Sequence, residues 1–280
     1  GVRDLSPSLR ALEPWIDWSP FFHTWEYKGR YPKLLDDSEK GKSARALFED
    51  GQRMLAKLVD EELIWARATY GFFPARALAD DVLDIGGVRF PMLRQQEDKA
   101  VCLSLADFVA SGAGDHVGGF VVTAGLGVEE LARRYERDND DYSAIMVKAL
   151  ADRLAEAAAE WLHARARGEC GIVEALSHDD VIAEKYRGIR PAFGYPACPD
   201  HAPKRTLFDL LGHADHHGVT LTESFAMYPT ASVSGLYFMH ADAKYFAVGR
   251  IGKDQVADYA ARCAVTTADV ERMMPGAIAG

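Results

Sequence analysis

Cysteine is scarce in this chain and nowhere paired by spacing. Cys102, Cys170, Cys198 and Cys263 are scattered through 280 residues without a C-x-x-C. That offers no disulfide framework and no zinc-ribbon signature, and it points to reduced thiols in a cytoplasm. Positive charge is short too: 32 Lys and Arg face 42 Asp and Glu, a formal net charge of −10 with no segregated basic patch. Nucleic-acid binding is therefore not expected. No stretch approaches the roughly 18 apolar residues of a membrane span, and the opening G-V-R-D-L-S-P-S-L-R lacks the apolar run of a signal peptide. The expectation is a soluble, cytoplasmic chain with no membrane partner.

Catalytic signatures are equally thin. Gly119-Phe120-Val121-Val122-Thr123-Ala124 reads as a buried strand running into Gly125-Leu126-Gly127 and a helix start near Val128-Glu129-Glu130. The third glycine of a dinucleotide fingerprint is missing, and two carboxylates stand where phosphates want positive potential. A tight strand-to-helix turn accounts for it better. No nucleophile elbow and no convincing Ser-His-Asp set is present, so no general acid or base is named. Gly212-His213-Ala214-Asp215-His216-His217-Gly218 is rich in ligand-type residues, but a chain leaving a helix splays them. Charge near a helix C-terminus is sufficient reason for them, and no metal site is assigned.

What is present is an ordinary globular composition, 48% apolar and 26% charged, at a length near the upper limit for one domain or the lower limit for two. Residues 11–35 carry Trp15, Trp18, Phe21, Phe22, Trp25, Tyr27 and Tyr31 among three prolines, which predicts an irregular packed segment with short helical turns. Asp17 there either caps the turn beginning at Ser19-Pro20 or serves a ligand; the residues alone leave both open. An amphipathic helix is predicted over Ser43–Glu62 with Ser43 as N-cap, and a hairpin over Ala68–Pro74, Val82–Ile85 and Val88–Phe90 with its turn at Gly86-Gly87. Leu93-Arg94-Gln95-Gln96 reads as a helix start.

The strongest helix runs from Tyr142 to about Arg167, with Asp152, Glu156 and Glu160 four apart as a carboxylate stripe. Such a stripe is a solvated face or, if buried, suits a cationic ligand. Ser177 caps a short helix through Glu184, and Thr206–Leu211 forms another. Leu221–Met227, Val233–Phe238 and Tyr245–Val248 read as strands of an antiparallel meander. Two amphipathic helices close the chain, Lys253–Arg262 and Thr267–Met274.

One stretch resists a purely structural reading. Arg190–His201, R-P-A-F-G-Y-P-A-C-P-D-H, has three prolines in twelve residues, which exclude a helix interior and a central strand. An extended ribbon remains, with backbone groups that it cannot all pair within itself. Gly194 leaves room for close approach, Arg190 supplies a cationic fork and Tyr195 a flat ring with a hydroxyl tip. A rigid surface loop and a ligand-binding wall both fit these residues.

With the upstream Tyr186-Arg187-Gly188-Ile189, this stretch resembles the S-adenosylmethionine-binding segment of the activation domain of cobalamin-dependent methionine synthase. The resemblance runs from Trp15 to about Met274. It includes I-D-W-x-P-F-F at Ile16–Phe22, G-F-F-P-A at Gly71–Ala75, Leu93-Arg94-Gln95-Gln96, D-R-L-A-E followed by A-E-x-L-H in the long helix, L-T-E-S-F-A-M, S-V-S-G-L-Y-F and D-A-K-Y-F-A-V-G-R-I. Departures are local. Phe193 stands where the family usually has proline, which implies a less stiff ribbon, and Pro275–Gly280 lacks the family's usual ending.

The resemblance implies an α+β fold: a single domain over 1–280 with a twisted, mainly antiparallel sheet flanked by helices, and 1–14 as an N-terminal linker or arm. It implies reductive reactivation. Cob(II)alamin accepts an electron from flavodoxin or an equivalent reductase, and the resulting cob(I)alamin takes a methyl group from S-adenosylmethionine. It assigns Arg190 to the ligand carboxylate, Asp17 to amino or ribose groups, and the backbone at Ala192 and Gly194 to the adenine and methionyl portions. Tyr195, Tyr245 and Phe246 would line the groove, with Glu156 and Glu184 near the sulfonium. The B12-binding D-x-H-x-x-G pattern is absent, so the cobalamin-binding domain must be a separate domain or subunit. Two rivals stand beside this reading: a non-catalytic S-adenosylmethionine-binding sensor or docking module, and a thiol enzyme built on Cys198 with His201.

Overall fold

The computed structural model describes every residue except Asp98, His213, Ala214, His216, Pro275 and Gly280. In chain order, strand β1 (Arg3–Leu5) is followed by helices α1 (Leu9–Leu12), α2 (Ser19–His23) and α3 (Gly41–Asp60). Strands β2 (Trp65–Ala77), β3 (Val82–Ile85), β4 (Val88–Pro91) and β5 (Asp115–Leu126) come next, then helices α4 (Val128–Arg137), α5 (Asp141–Glu169), α6 (His178–Ile182) and α7 (Pro203–Leu210). Short β6 (Thr220–Leu221) and β7 (Met227–Tyr228), the longer β8 (Ser232–Tyr237), and helices α8 (Lys253–Cys263) and α9 (Thr267–Met273) complete the chain.

The main sheet is antiparallel in the order β4-β3-β2-β5-β8, with β1 added on β2. The fold class is α+β, as expected. β5 is buried on both faces, which the strand period of two turns into two separate cores. Phe120, Val122 and Ala124 face a core built with α5 and the N-terminal aromatics, while Val117 and Val121 face one built with α7 and the ribbon. The middle of α5 is correspondingly alanine-rich, and Ala155, Ala157, Ala158 and Ala159 are buried there. Among the described residues, no helix is long and apolar enough to cross a membrane.

Several local expectations change. Residues 1–14, expected as a linker or arm, lie docked on the domain: β1 pairs with Ala68–Tyr70 on the edge of β2 that short β3 leaves uncovered, and Leu9 and Leu12 are buried. Covering an open strand edge is reason enough. Ser43 is not the N-cap of α3. It lies inside the helix, donating to Lys40 O at 2.9 Å, while Asp37 Oδ1 accepts the Glu39 and Lys40 N–H groups at 2.9 and 2.8 Å. Arg94 starts no helix; it bridges to Ser104 in extended backbone and pairs with Asp81 and Asp107.

The antiparallel meander is also corrected. Leu221–Met227 is the two-rung β6–β7 hairpin around a turn, β8 pairs with β5, and Tyr245–Val248 is not a strand. Strand propensity reports a half-buried surface, not a ladder. Tyr245–Val248 satisfies it by packing, with Phe246 on Phe108 at 6.3 Å between ring centroids.

Candidate functional site

The ribbon is held as a partial extra strand beside β8. Ile189 N–H donates to Phe238 O at 2.9 Å, Phe238 N–H returns to Ile189 O at 3.0 Å, and Leu236 N–H reaches Pro191 O at 3.0 Å. Gly235 makes the approach possible, since a Cβ there would stand 2.5 Å from Pro191 O. Beyond Pro191 the prolines end the ladder, and the chain closes on itself. Gly194 N–H donates to Cys198 O at 2.8 Å, Cys198 N–H to Tyr195 O at 2.9 Å, and Val248 N–H to Pro196 O at 2.8 Å.

Several of the backbone groups that the ribbon seemed to keep in reserve are thus used within the protein. The Ala192 N–H is one without a partner among the described residues. Phe193 does not loosen the ribbon. It is buried and stacked on Phe90 at 6.2 Å, an apolar anchor in place of a stiff ring.

A cavity of about 470 Å³ opens against the ribbon, within the size range of small-molecule sites. Arg190, Ala192, Tyr195, Tyr245, Phe246, Glu156 and Glu184 line it, so the structure brings these expected site residues together. They come from α5, the segment after α6, the ribbon and the loop before α8. Val233 of β8 forms part of its wall. Gly194 lines an adjoining cavity of about 500 Å³ that shares Tyr195 and Pro196 with the first. Asp17 is not part of either lining; its Oδ1 accepts the Ser19 N–H at 2.9 Å, at the start of α2.

Arg190 is the centre of a polar cluster beneath the cavity that sequence reasoning missed. Its Nη1 lies 2.8 Å from Glu160 Oε2 and contacts the Tyr186 hydroxyl, with His163 Nδ1 at 3.5 Å, and its backbone N–H donates to the Tyr245 hydroxyl at 3.0 Å. Among the described residues its Nε and Nη2 have no hydrogen-bond partner, and they are not sealed from solvent. The guanidinium therefore keeps one edge that could take a bidentate acceptor. Arg167 stacks over the Tyr186 ring at 4.1 Å and pairs with Glu174 at 3.4 Å.

Burial sets the protonation states. It pushes the Glu160 carboxyl above its ordinary range against the pull of Arg190 and Arg167, and holds the His163 imidazole well below its own, reinforced by the same two arginines. Burial also works against the Arg190 charge, but Glu160, Tyr186 and Tyr245 outweigh it and raise the guanidinium's pKa. The one usable signal in the sequence was the stripe itself. Asp152, Glu156 and Glu160 descend α5 from solvent, past the cavity, into the interior.

Cys198 is no nucleophile. Its buried thiol donates to Ala192 O at 3.1 Å, and burial, with Asp200 nearby, pushes it up to about 12. His201 is engaged elsewhere, its Nδ1 2.8 Å from the buried Lys204 Nζ. In the histidine-rich turn, His217 meets Asp4 at 3.1 Å; His213 and His216 lie outside the described residues.

Residues 8–264 match the family model described as vitamin B12 dependent methionine synthase, activation domain. The chain belongs to this family. A crystal structure of the MetH reactivation domain bound to AdoHcy is 46% identical to it, with a TM-score of 0.95, covering 100% of this chain and 91% of that one. The activation-domain family thus supplies both the α+β fold and a precedent for an adenosyl ligand. In the present chain the cavity beside Arg190 carries both a guanidinium and carboxylates, Glu156 and Glu184, among its lining residues.

Proposed function

We propose that this activation domain binds S-adenosylmethionine in the Arg190 cavity and gives its methyl group to cob(I)alamin carried by a separate domain or subunit. The observation that carries the reading is the cavity itself: the free edge of Arg190 at its floor and two carboxylates, Glu156 and Glu184, among its lining residues. A zwitterionic amino acid with a sulfonium needs that combination. The 46% identity to a domain that holds AdoHcy supports it.

In this reading Arg190 takes the ligand carboxylate through Nε and Nη2. Ala192 offers its free N–H, Gly194 sets the turn that shapes the wall, and Tyr195, Tyr245 and Phe246 flank the adenosyl group. Glu156 and Glu184 favour the cation by Coulomb attraction in a partly dry site. Asp17 joins through the family resemblance, at the amino or ribose groups. Cob(I)alamin supplies the electron pair of the new cobalt–carbon bond while the sulfur keeps the pair of the broken one, leaving S-adenosylhomocysteine. The domain need only bind, orient and tune the field.

Tyr195 is 61% exposed at the cavity, which leaves the methyl group approachable by a broad ring system held elsewhere. The partners are the cobalamin-binding domain and flavodoxin or an equivalent one-electron donor, and the four free cysteines suit action in the cytoplasm. The test is anaerobic. The protein is mixed with a cobalamin-loaded partner domain, a one-electron reductant and methyl-labelled S-adenosylmethionine. Label appearing in methylcobalamin is the expected result; tight binding without transfer would instead mark a sensor or docking module.

A further inference from the structure

The two ion pairs beneath the cavity are balanced in charge before any ligand enters. Arg190 and Arg167 face Glu160 and Glu174, and both pairs are formed within the protein. A ligand carboxylate closing on the free edge of Arg190 brings a further negative charge to a guanidinium that Glu160 already neutralises. Two carboxylates around one buried cation repel each other, and in a low-dielectric site that repulsion is expensive. Either the ion pair breaks, which strands Glu160, or a proton arrives.

The surrounding groups leave one place for that proton. Glu160 is 8% exposed; its Oε2 lies 2.8 Å from Arg190 Nη1 and accepts from the Tyr186 hydroxyl at 3.3 Å, while its Oε1 is buried and has no partner among the described residues. His163, one turn along α5, is buried beside Arg190 and Arg167, which disfavour its charged form. Tyr186 and Tyr245, on the two segments packed over the cluster, and Tyr237 on β8 are neutral phenols that burial holds in their protonated form. Glu184, facing the cluster from the segment after α6, adds negative charge and so favours proton uptake at Glu160. Glu156, one turn away on α5, is exposed and belongs to the cavity's lining.

We propose that Glu160 takes up a proton from solvent at Oε1 when a ligand carboxylate closes on the free edge of Arg190, and returns it when the ligand leaves. The step rests on the reading of the cavity as an S-adenosyl amino acid site. It makes binding a proton-linked event. Affinity is full below the pKa of Glu160 in the free protein and falls as pH rises towards its higher pKa in the complex, by up to about tenfold per pH unit in that window. Glu160 has the character for this role, since burial already holds its carboxyl above the ordinary range.

The experiment is titration calorimetry with S-adenosylhomocysteine, which carries the carboxylate without the sulfonium. It is run in buffers of different ionisation enthalpy between about pH 5 and 8, with 5′-methylthioadenosine, which lacks the carboxylate, as control. The expected result is net proton uptake with S-adenosylhomocysteine and none with methylthioadenosine. Glu160→Gln, which keeps an acceptor for Arg190, abolishes the uptake and binds more tightly than the parent at the alkaline end. Binding of S-adenosylhomocysteine without uptake overturns the proposal, and so does uptake that persists in Glu160→Gln. If that variant fails to fold, the parent's pH dependence still decides, because an affinity flat across the range is incompatible with the step. No binding of either ligand would overturn the reading of the cavity itself, a distinct outcome.

Discussion

Arg190 is engaged before any ligand arrives: its Nη1 lies 2.8 Å from Glu160 Oε2, and the two side chains are only 14% and 11% exposed. In the proposed site, an arginine held in a buried ion pair is a pre-oriented one. Arg190 lines the cavity while Glu160, Tyr186 and His163 hold its Nη1. The entropy of ordering a long side chain is then spent in folding rather than in binding.

Breaking this pair from one side should cost stability as well as affinity. Arg190→Met strands a buried carboxylate, and the expected loss is on the order of 3 kcal/mol of folding free energy. Adding Glu160→Met restores much of that loss, because two apolar side chains replace two desolvated charges. Neither variant should bind S-adenosylmethionine. Urea unfolding and calorimetry together check this; a double variant no more stable than Arg190→Met would mean that the pair does not couple.

Glu156 and Glu184 should discriminate by ligand charge. Both are exposed, so each interaction is screened and worth about 0.5–1 kcal/mol at most. Glu156→Gln and Glu184→Gln are each expected to weaken S-adenosylmethionine by about two- to fivefold while leaving S-adenosylhomocysteine, which lacks the sulfonium, nearly unchanged. Equal losses for the two ligands would show that these carboxylates act on the amino acid's ammonium instead.

Local order was largely legible in the sequence, and long-range pairing was not. Regular periodicity placed α5 within a residue or two at each end and found β5, because a 3.6- or 2-residue pattern is written in consecutive side chains. Tyr245–Val248 carries the same aromatic and β-branched content as a strand, yet nothing local says whether a ladder partner exists. Seven of the residues that the resemblance named lie together around one cavity, while Asp17 and Gly194 lie outside its lining. Glu160, His163 and Tyr186 were given no site role, since burial beneath a cavity depends on how α5 crosses β8 and the ribbon. Glu160 differs from Glu156 only by one helical turn, and that turn separates solvent from the interior.

His163 should make the fold acid-sensitive. Its folded pKa is depressed far below the ordinary 6.5, so the unfolded chain binds a proton that the native one refuses. The stability associated with neutral His163 is fully present above about pH 6.5. It declines as pH falls towards the folded pKa, by up to about 1.4 kcal/mol per pH unit. Glu160 works with the opposite sign, since its raised pKa favours the native state at lower pH. Unfolding curves from about pH 7 down to 5 should therefore be steeper in Glu160→Gln than in the parent and flatter in His163→Gln. Parallel curves for His163→Gln and the parent would place the acid sensitivity elsewhere.

Gly194 carries two constraints that one substitution tests separately. Its φ of +92° lies where side chains are strained, and a Cβ there would stand 2.0 Å from the His201 ring. His201 can yield only by giving up the 2.8 Å contact with Lys204, whose buried ammonium would then lack that partner. Gly194→Ala is therefore expected to lose about 1–3 kcal/mol of stability and to weaken S-adenosylmethionine by displacing Tyr195. Gly194→Ala combined with His201→Ala removes the collision but not the backbone strain. Its S-adenosylmethionine affinity should recover further than its stability, because the ribbon can return to its place while the left-handed residue remains and Lys204 keeps only the Phe225 carbonyl. Denaturant unfolding paired with calorimetry reads both quantities. An affinity that stays low in the double variant would mean that the ribbon's path depends on the glycine's backbone itself rather than on the space beside it.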